Sequence, residues 1–345
     1  MTGIEDVARE AGVSTATVSR ALRGLPRVSE ATRARVLEAA ERMQYVASPH
    51  AASLAGGRTR DVGVVVPNVT RWFFGSVVHA AEELLREEGY DLLLHNITGD
   101  PESRRRLFTA HLQRKRVDAV MVLALQPTAE ETAALEQTGS PVVVVGGYVP
   151  DWPCVRIDDV QAASDATQHL VDLGHERIAH LGGVPDPEHA GLAFSAPSDR
   201  VRGYRQTMAA AGLSVDPDWV VTGDFTARAG LAACRTLLGA HHRPTAIFAG
   251  SDEMAFGAAQ AVREAGLRVP EDISLVGVDD HELSEFFDLT TVAQPAGELG
   301  RLGARRLLDG LTALAPAPPD TIVPTRLVVR GSTAAPGAGS AGTPG

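Results

Sequence analysis

Ile4 to Leu22 constrains this chain more than any other stretch. Val7-Ala8-Arg9-Glu10-Ala11-Gly12-Val13-Ser14-Thr15-Ala16-Thr17-Val18-Ser19-Arg20-Ala21-Leu22 reads as two short helices broken at Gly12. Thr2-Gly3-Ile4-Glu5 has the Ser/Thr-x-x-Glu form of a capping box, so the first helix is expected from about Gly3. Ile4, Val7, Ala8 and Ala11 recur at the i, i+3, i+4, i+7 spacing of one apolar face, and Gly12 suits the left-handed turn that stops a helix. Ser14 is a good cap for the second helix. There Val18, Ala21 and Leu22 share the buried side, leaving Thr15, Ala16, Thr17, Ser19 and Arg20 outward or on the flanks. Small side chains permit close approach to a DNA groove, and Arg20 brings paired donors that fit guanine, a contact worth about 1–3 kcal/mol of discrimination.

An ordinary helical hairpin has the same pattern, and a third amphipathic segment separates the two readings. It begins at Ser29 and carries Val36, Ala40 and Met43 on one side as far as Tyr45, enough to close a three-helix unit. The run Ile4 to Leu22, then Val28-Ser29-Glu30-Ala31-Thr32-Arg33 and Tyr45, resembles the headpiece of the lactose-repressor (LacI-type) family of bacterial transcription regulators. The resemblance implies DNA contacts from Ser14, Thr15, Ala16, Thr17, Arg20 and Ser29, within a helix-turn-helix domain spanning 1–46.

Charge is divided along the chain. The whole is acidic, at net −11, yet residues 1–60 carry nine Arg and six acidic residues, and the remainder sums to −14. Only the first segment is fit to meet phosphates. Two cysteines, Cys154 and Cys234, are too few for a disulfide framework, and no spacing suggests a metal cluster. A reducing cytoplasm is therefore expected. No basic patch leads into an apolar run at the N-terminus and no stretch is long and apolar enough to span a bilayer, so no membrane partner is expected.

Residues 47–60 read as a hinge. Ser48 suits a cap, Pro49 the first helical position, and Ala51 to Ala55 propagate a short helix that Gly56-Gly57 ends. A helix so short is marginal alone and is expected to form when packed against a twin. Through the family resemblance, Leu54 is the residue that wedges into the minor groove. The family's usual Pro-Asn and Ala-Arg pairs are replaced here by Ala47-Ser48 and Ala51-Ala52, which predicts weaker or different groove contacts.

From Asp61 apolar runs alternate with amphipathic helices. Strands are expected at 62–66, 90–94, 117–123 and 142–145, with helices at 77–88 and 103–114 and one before 142; a second set runs from 162 to 278. The repetition implies two parallel-sheet α/β subdomains with a cleft between them, and the order resembles the periplasmic (type I) sugar-binding-protein fold of the family's effector domain, over 61–331. Its specific stretches are Gly174 to Ala179, Pro244 to Phe248, Ser251 to Ala255 and Val269 to Asp280. Residues 332–345, rich in Ala, Gly, Pro and Ser, read as a disordered tail.

Ligands of such sheets bind beyond the strands' carboxyl ends. Asp279 ends a strand; the resemblance adds Arg200 as the ligand-binding arginine, Phe225 as a stacking aromatic, and Phe73 and Phe74, with Trp72, as the lip of the opposite wall. Tyr148, Ser251 and Gln294 are further candidates near strand ends, whereas Asp252 and Asp280 suit caps or loops. A charged pair with aromatic faces suits a carbohydrate or a planar base, and the family's commonest effectors make a sugar the expected ligand.

No catalytic grouping emerges. His175 and His180 lie on a strand, without a Glu between them on one helical face, and neither a Gly-x-Ser-x-Gly elbow nor a phosphate loop is present. The expectation is a homodimeric, cytoplasmic regulator, a repressor reading a pseudo-palindromic double-stranded operator under a small-molecule effector, with no cofactor. A purine- or nucleoside-responsive regulator, a sugar receptor without DNA function, and a sugar-modifying enzyme on a related sheet are the rivals.

Overall fold

The computed structural model describes residues 3–22, 24–45, 59–97, 101–111, 117–183, 195–312 and 320–337. The chain divides into two compact units: 1–61 with 116–118, and 62–115 with 119–345.

The first unit is built on α1 (Ile4–Ala11), α2 (Thr15–Leu22) and α3 (Glu30–Arg42). Val7, Val18 and Val36, one from each helix, are fully buried together with Ala8, Ala11, Ala21, Ala39 and Ala40. Each valine contributes roughly 1.5–3 kcal/mol by leaving water, a small total that suits a small domain. Gly12 takes φ +64° and stops α1. The carboxylate that caps α1 belongs to Asp6, not Glu5: it accepts the Gly3 N–H at 2.9 Å. Thr2, the other half of the expected box, lies outside the described residues, as does most of the 47–60 hinge, Leu54 included.

The second unit carries two six-stranded sheets. The first comprises β1 (Asp61–Val66), β2 (Asp91–Asn96), β3 (Ala119–Leu123), β4 (Val142–Val145), β5 (Cys154–Arg156) and β11 (Asp320–Ile322), in the order β11-β5-β4-β3-β1-β2. The second holds β6 (Ile178–Gly183), β7 (Val220–Thr222), β8 (Ala246–Ala249), β9 (Ser274–Asp279), β10 (Thr290–Ala293) and β12 (Arg326–Val328), in the order β12-β10-β9-β8-β6-β7. β12 runs antiparallel to β10, while β6 to β10 pair in parallel. The continuous valine runs of β1 and β4 fit strands covered on both faces.

The helices are α4 (Trp72–Glu87), α5 (Pro101–Arg106) with a π-turn at Leu107–His111, α6 (Ala129–Thr138), α7 (Asp159–Asp172), α8 (Ala196–Ala210), α9 (Ala227–Leu238), α10 (Asp252–Glu264) and α11 (Ala296–Thr312). They pack in close pairs, α4 with α11, α7 with α8 and α9 with α10. Glycines permit the approach: a methyl on Gly300 would overlap the Val77 carbonyl oxygen, and one on Gly257 would overlap that of Ala227.

Among the described residues, three segments join the subdomains: Ile157-Asp158 between β5 and α7, Gln294-Pro295 between β10 and α11, and Val323 to Thr325 between β11 and β12. The sequence pattern does not resolve β5 or anything from β10 onward. It also places the start of the first helix after β1 at 77, whereas α4 begins at Trp72 and so takes the aromatic run into its first turn. The disordered tail expected from 332 is corrected as well. Ser332 is buried, accepting the Thr290 N–H at 2.8 Å and donating to the Leu275 carbonyl at 2.6 Å, and the Ala334 carbonyl lies 2.9 Å from His175 Nε2. Residues 338–345 lie outside the described residues.

Candidate functional site

In the three-helix unit, α2 turns Val18 and Ala21 inward and leaves Thr15, Ala16 and Arg20 exposed, with Thr17 and Ser19 half-buried. Ser14 Oγ accepts the Thr17 N–H at 3.2 Å, and Ser29 Oγ accepts the Thr32 N–H at 3.3 Å. Both hydroxyls therefore fix helix starts. Arg33, given no role by the sequence beyond its place in the motif, donates to the carbonyls of Ala21 (3.3 Å) and Leu25 (2.8 Å) and so anchors the end of α2 on α3. Its spacing from α2 carries no periodic signal.

In the second unit a cleft of about 630 Å³, measured to its open mouth, lies at the carboxyl ends of the strands of both sheets. Phe73, Phe74, Arg200, Phe225, Ser251, Asp279 and Gln294 all line it. Tyr148 does not: the chain turns at Gly146 (φ +73°) and carries Tyr148 out to the surface, where it is half exposed, under the Arg156 guanidinium at 5.5 Å. Gly146 itself lines the cleft, and a side chain there would press on the Phe73 ring. Trp72 is absent from the lining and packs against His281, 5.1 Å between ring centres.

The polar wall is tightly bonded. Arg200 donates through Nε to Asp159 Oδ1 at 2.8 Å and through Nη1 to the Gly250 carbonyl, its Nη2 lies 2.8 Å from the same Asp159 oxygen, and its guanidinium lies 5.7 Å over the Phe225 ring. Phe225 (φ +63°), Asp279 (φ +145°) and Ala124 (φ +43°) line the cleft in conformations that L-residues rarely adopt. Such strain concentrates at functional sites.

Asp279 is buried and accepts from Gln294 Nε2. Burial and then the neighbouring Asp252 carboxylate push its carboxyl up to about 8. Asp252 is structural, accepting from Ser284 Oγ and Thr291 Oγ1, both at 2.6 Å, and from the His281 N–H at 2.9 Å. Asp280 pairs with Arg330 at 2.6 Å. Neither residue caps a helix: Ser251 caps α10, Asp252 ties that helix start to β10 and the loop after β9, and Asp280 is an ion-pair partner.

Sequence reasoning missed three charged groups in the cleft. Asp159 follows the cap Asp158 in the first turn of α7, and Glu253 sits in the first turn of α10. Acids in such places read as ordinary helix-end residues. Arg71, just before α4, pairs with Glu253 at 2.8 Å and so ties one wall to the other. Burial pushes the Asp159 carboxyl above its usual range, a shift that the paired Arg200 opposes.

Against known proteins, residues 3–48 match the family model described as bacterial regulatory proteins, lacI family, and residues 167–333 match a periplasmic binding protein-like domain. The HTH-type transcriptional repressor CytR of Escherichia coli (strain K12) is 35% identical over 336 residues, 96% of each chain. Among solved structures, a transcriptional regulator CelR–cellobiose complex is similar at TM-score 0.72 and 34% identity, covering 96% of this chain and 100% of that one. The lac repressor dimer bound to operator and the anti-inducer ONPF is similar at TM-score 0.84 and 27% identity, covering 97% and 99%.

Proposed function

The chain belongs to the lacI family of bacterial regulatory proteins, DNA-binding transcriptional regulators that are not enzymes, and from that premise we propose a homodimeric repressor whose hold on a pseudo-palindromic operator is set by a carbohydrate in the cleft. The observation that carries the effector half is the cleft itself. Phe73 and Phe225 supply flat apolar surface, while Arg200, Asp279 and Gln294 supply hydrogen bonds at the strand ends. Sugars present that combination, with apolar C–H faces and a rim of hydroxyls. The cellobiose held by the CelR relative supports the class.

Arg200 keeps guanidinium N–H groups beyond those bonded to Asp159 and Gly250, and these would meet a ligand hydroxyl. Asp279, protonated near neutral pH, both donates and accepts. A ligand touching both walls favours the closed cleft over the open one, and the three joining segments absorb the motion. Residues 47–60, with Leu54, are the proposed route from that motion to the DNA.

Dimer formation draws support from the relative solved as an operator-bound dimer and from an exposed apolar surface formed by Leu283, Phe286 and Phe287. One headpiece reads one half-site, so a two-fold dimer prefers a pseudo-palindrome.

The test is thermal unfolding of the full chain with cellobiose, ribose, glucose, cytidine and adenosine. A ligand that binds only the folded form raises the midpoint. The expected result is a shift by a sugar that Asp279→Ala abolishes. A shift by a nucleoside alone would replace the ligand class, and a sugar shift retained in Asp279→Ala would remove Asp279 from the site.

A further inference from the structure

The cleft contains two guanidiniums, and each already has a carboxylate from the chain. Asp159 holds Arg200 deep in the wall, and Glu253 holds Arg71 at the meeting of the two walls. Glu253 does more than pair a charge. Its Oε2 lies 2.8 Å from Arg71 Nη1, while its Oε1 accepts the Trp72 N–H, at 3.3 Å, which opens α4. A guanidinium beside a free helix-opening N–H is the combination that receives phosphate or carboxylate groups. Here a side chain of the opposite subdomain fills it.

We propose that the effector of this cleft is uncharged, and that Glu253 enforces the selection by occupying the seat an anionic ligand group would take at Arg71 and the start of α4. This rests on the reading of the cleft as an effector site and narrows its ligand to neutral molecules, excluding sugar phosphates and nucleotides. The inventory of charge agrees. Against Arg71 and Arg200 stand Asp159, Glu253 and Asp279, so the lining never carries a net positive charge, whichever way Asp279 is protonated. An anion entering would have to displace Glu253 or Asp159 and leave a carboxylate facing it without its partner.

Arg71 and Glu253 each keep about a fifth of their side-chain surface in solvent, so the pair is exchangeable without dismantling the core. The experiment is thermal unfolding of the full chain in rising inorganic phosphate at constant ionic strength, for wild type, Glu253→Gln, and Glu253→Gln combined with Arg71→Ala. Wild type is expected to show no saturable response. Glu253→Gln is expected to gain one, and removing Arg71 is expected to abolish it. A saturable wild-type response would overturn the proposal, and so would a Glu253→Gln protein that gains none. Wild type is also compared with matched pairs: glucose and glucose 6-phosphate, ribose and ribose 5-phosphate, cytidine and its 5′-monophosphate. This decides the matter even where the variants fail to fold. For any pair that binds, the neutral member is expected to bind at least about tenfold tighter, a difference of about 1.4 kcal/mol. A phosphorylated member binding as well or better sinks the proposal, as does a set in which no neutral member binds. A phosphate-responsive cleft would end the charge selection and leave effector control standing, whereas a ligand that binds without changing DNA affinity would count against the regulatory reading alone.

Discussion

Asp279 stands at the end of a strand, buried, beside a second carboxyl, and its proton is linked to folding. Unfolded, the group titrates near 3.8; folded, it is pushed up to about 8. Between those values the folded form keeps a proton that the unfolded form has lost, so this stabilisation is complete below about pH 4 and is lost as pH rises toward 8. Asp279→Asn should flatten that decline, read as the difference in unfolding midpoint between pH 5 and pH 8.5; an unchanged slope would show that the group does not titrate there. In the other unit, Arg20→Ala should cost specific DNA binding about 1–3 kcal/mol and nonspecific binding much less, measured by anisotropy on both DNAs. Equal losses would contradict base reading. Asp279 was legible as the end of a strand, and Arg200 and Phe225 through the family resemblance. Arg71, Asp159 and Glu253 were not, since one charged residue near a helix start looks the same whether it faces solvent or a cleft wall 182 positions away in sequence.

Among the elements, those with a strong period emerged from the sequence and those without did not. β4 is an unbroken apolar run and was placed to the residue. β5, β11 and β12 are three residues each, too short for any alternation to register, and their place in the sheets comes from tertiary pairing. The expected tail was misread for a related reason. Small polar residues suit a loose chain, yet Ser332 and Ala334 are held by Thr290, Leu275 and His175, partners that only the fold brings near. The close helix pairs make a direct prediction. Gly257→Ala gains helix propensity but forces α9 from α10, so it should cost about 1–3 kcal/mol net, seen as a lower denaturant midpoint. A neutral or stabilising result would mean that the helices separate freely.

At the scale of the whole molecule, the charge division is the simplest organising fact: a weakly cationic first segment on an acidic chain. Alone, such a segment has little hold on DNA, which is why pairing is central. Phe286, 81% exposed, is the most prominent apolar side chain on the described surface. Phe286→Asp should convert the protein to monomers in sedimentation velocity and weaken its binding to full operators; a dimer that persists would place the interface elsewhere. Control of DNA binding by the cleft is measured by comparing full-length protein on a selected two-fold duplex and on its isolated half, with and without the sugar that stabilises the cleft. Binding to the two-fold duplex is expected to be at least about tenfold tighter, with a change of similar size when the sugar is added. Equal binding to both duplexes, unmoved by that sugar, would contradict that control.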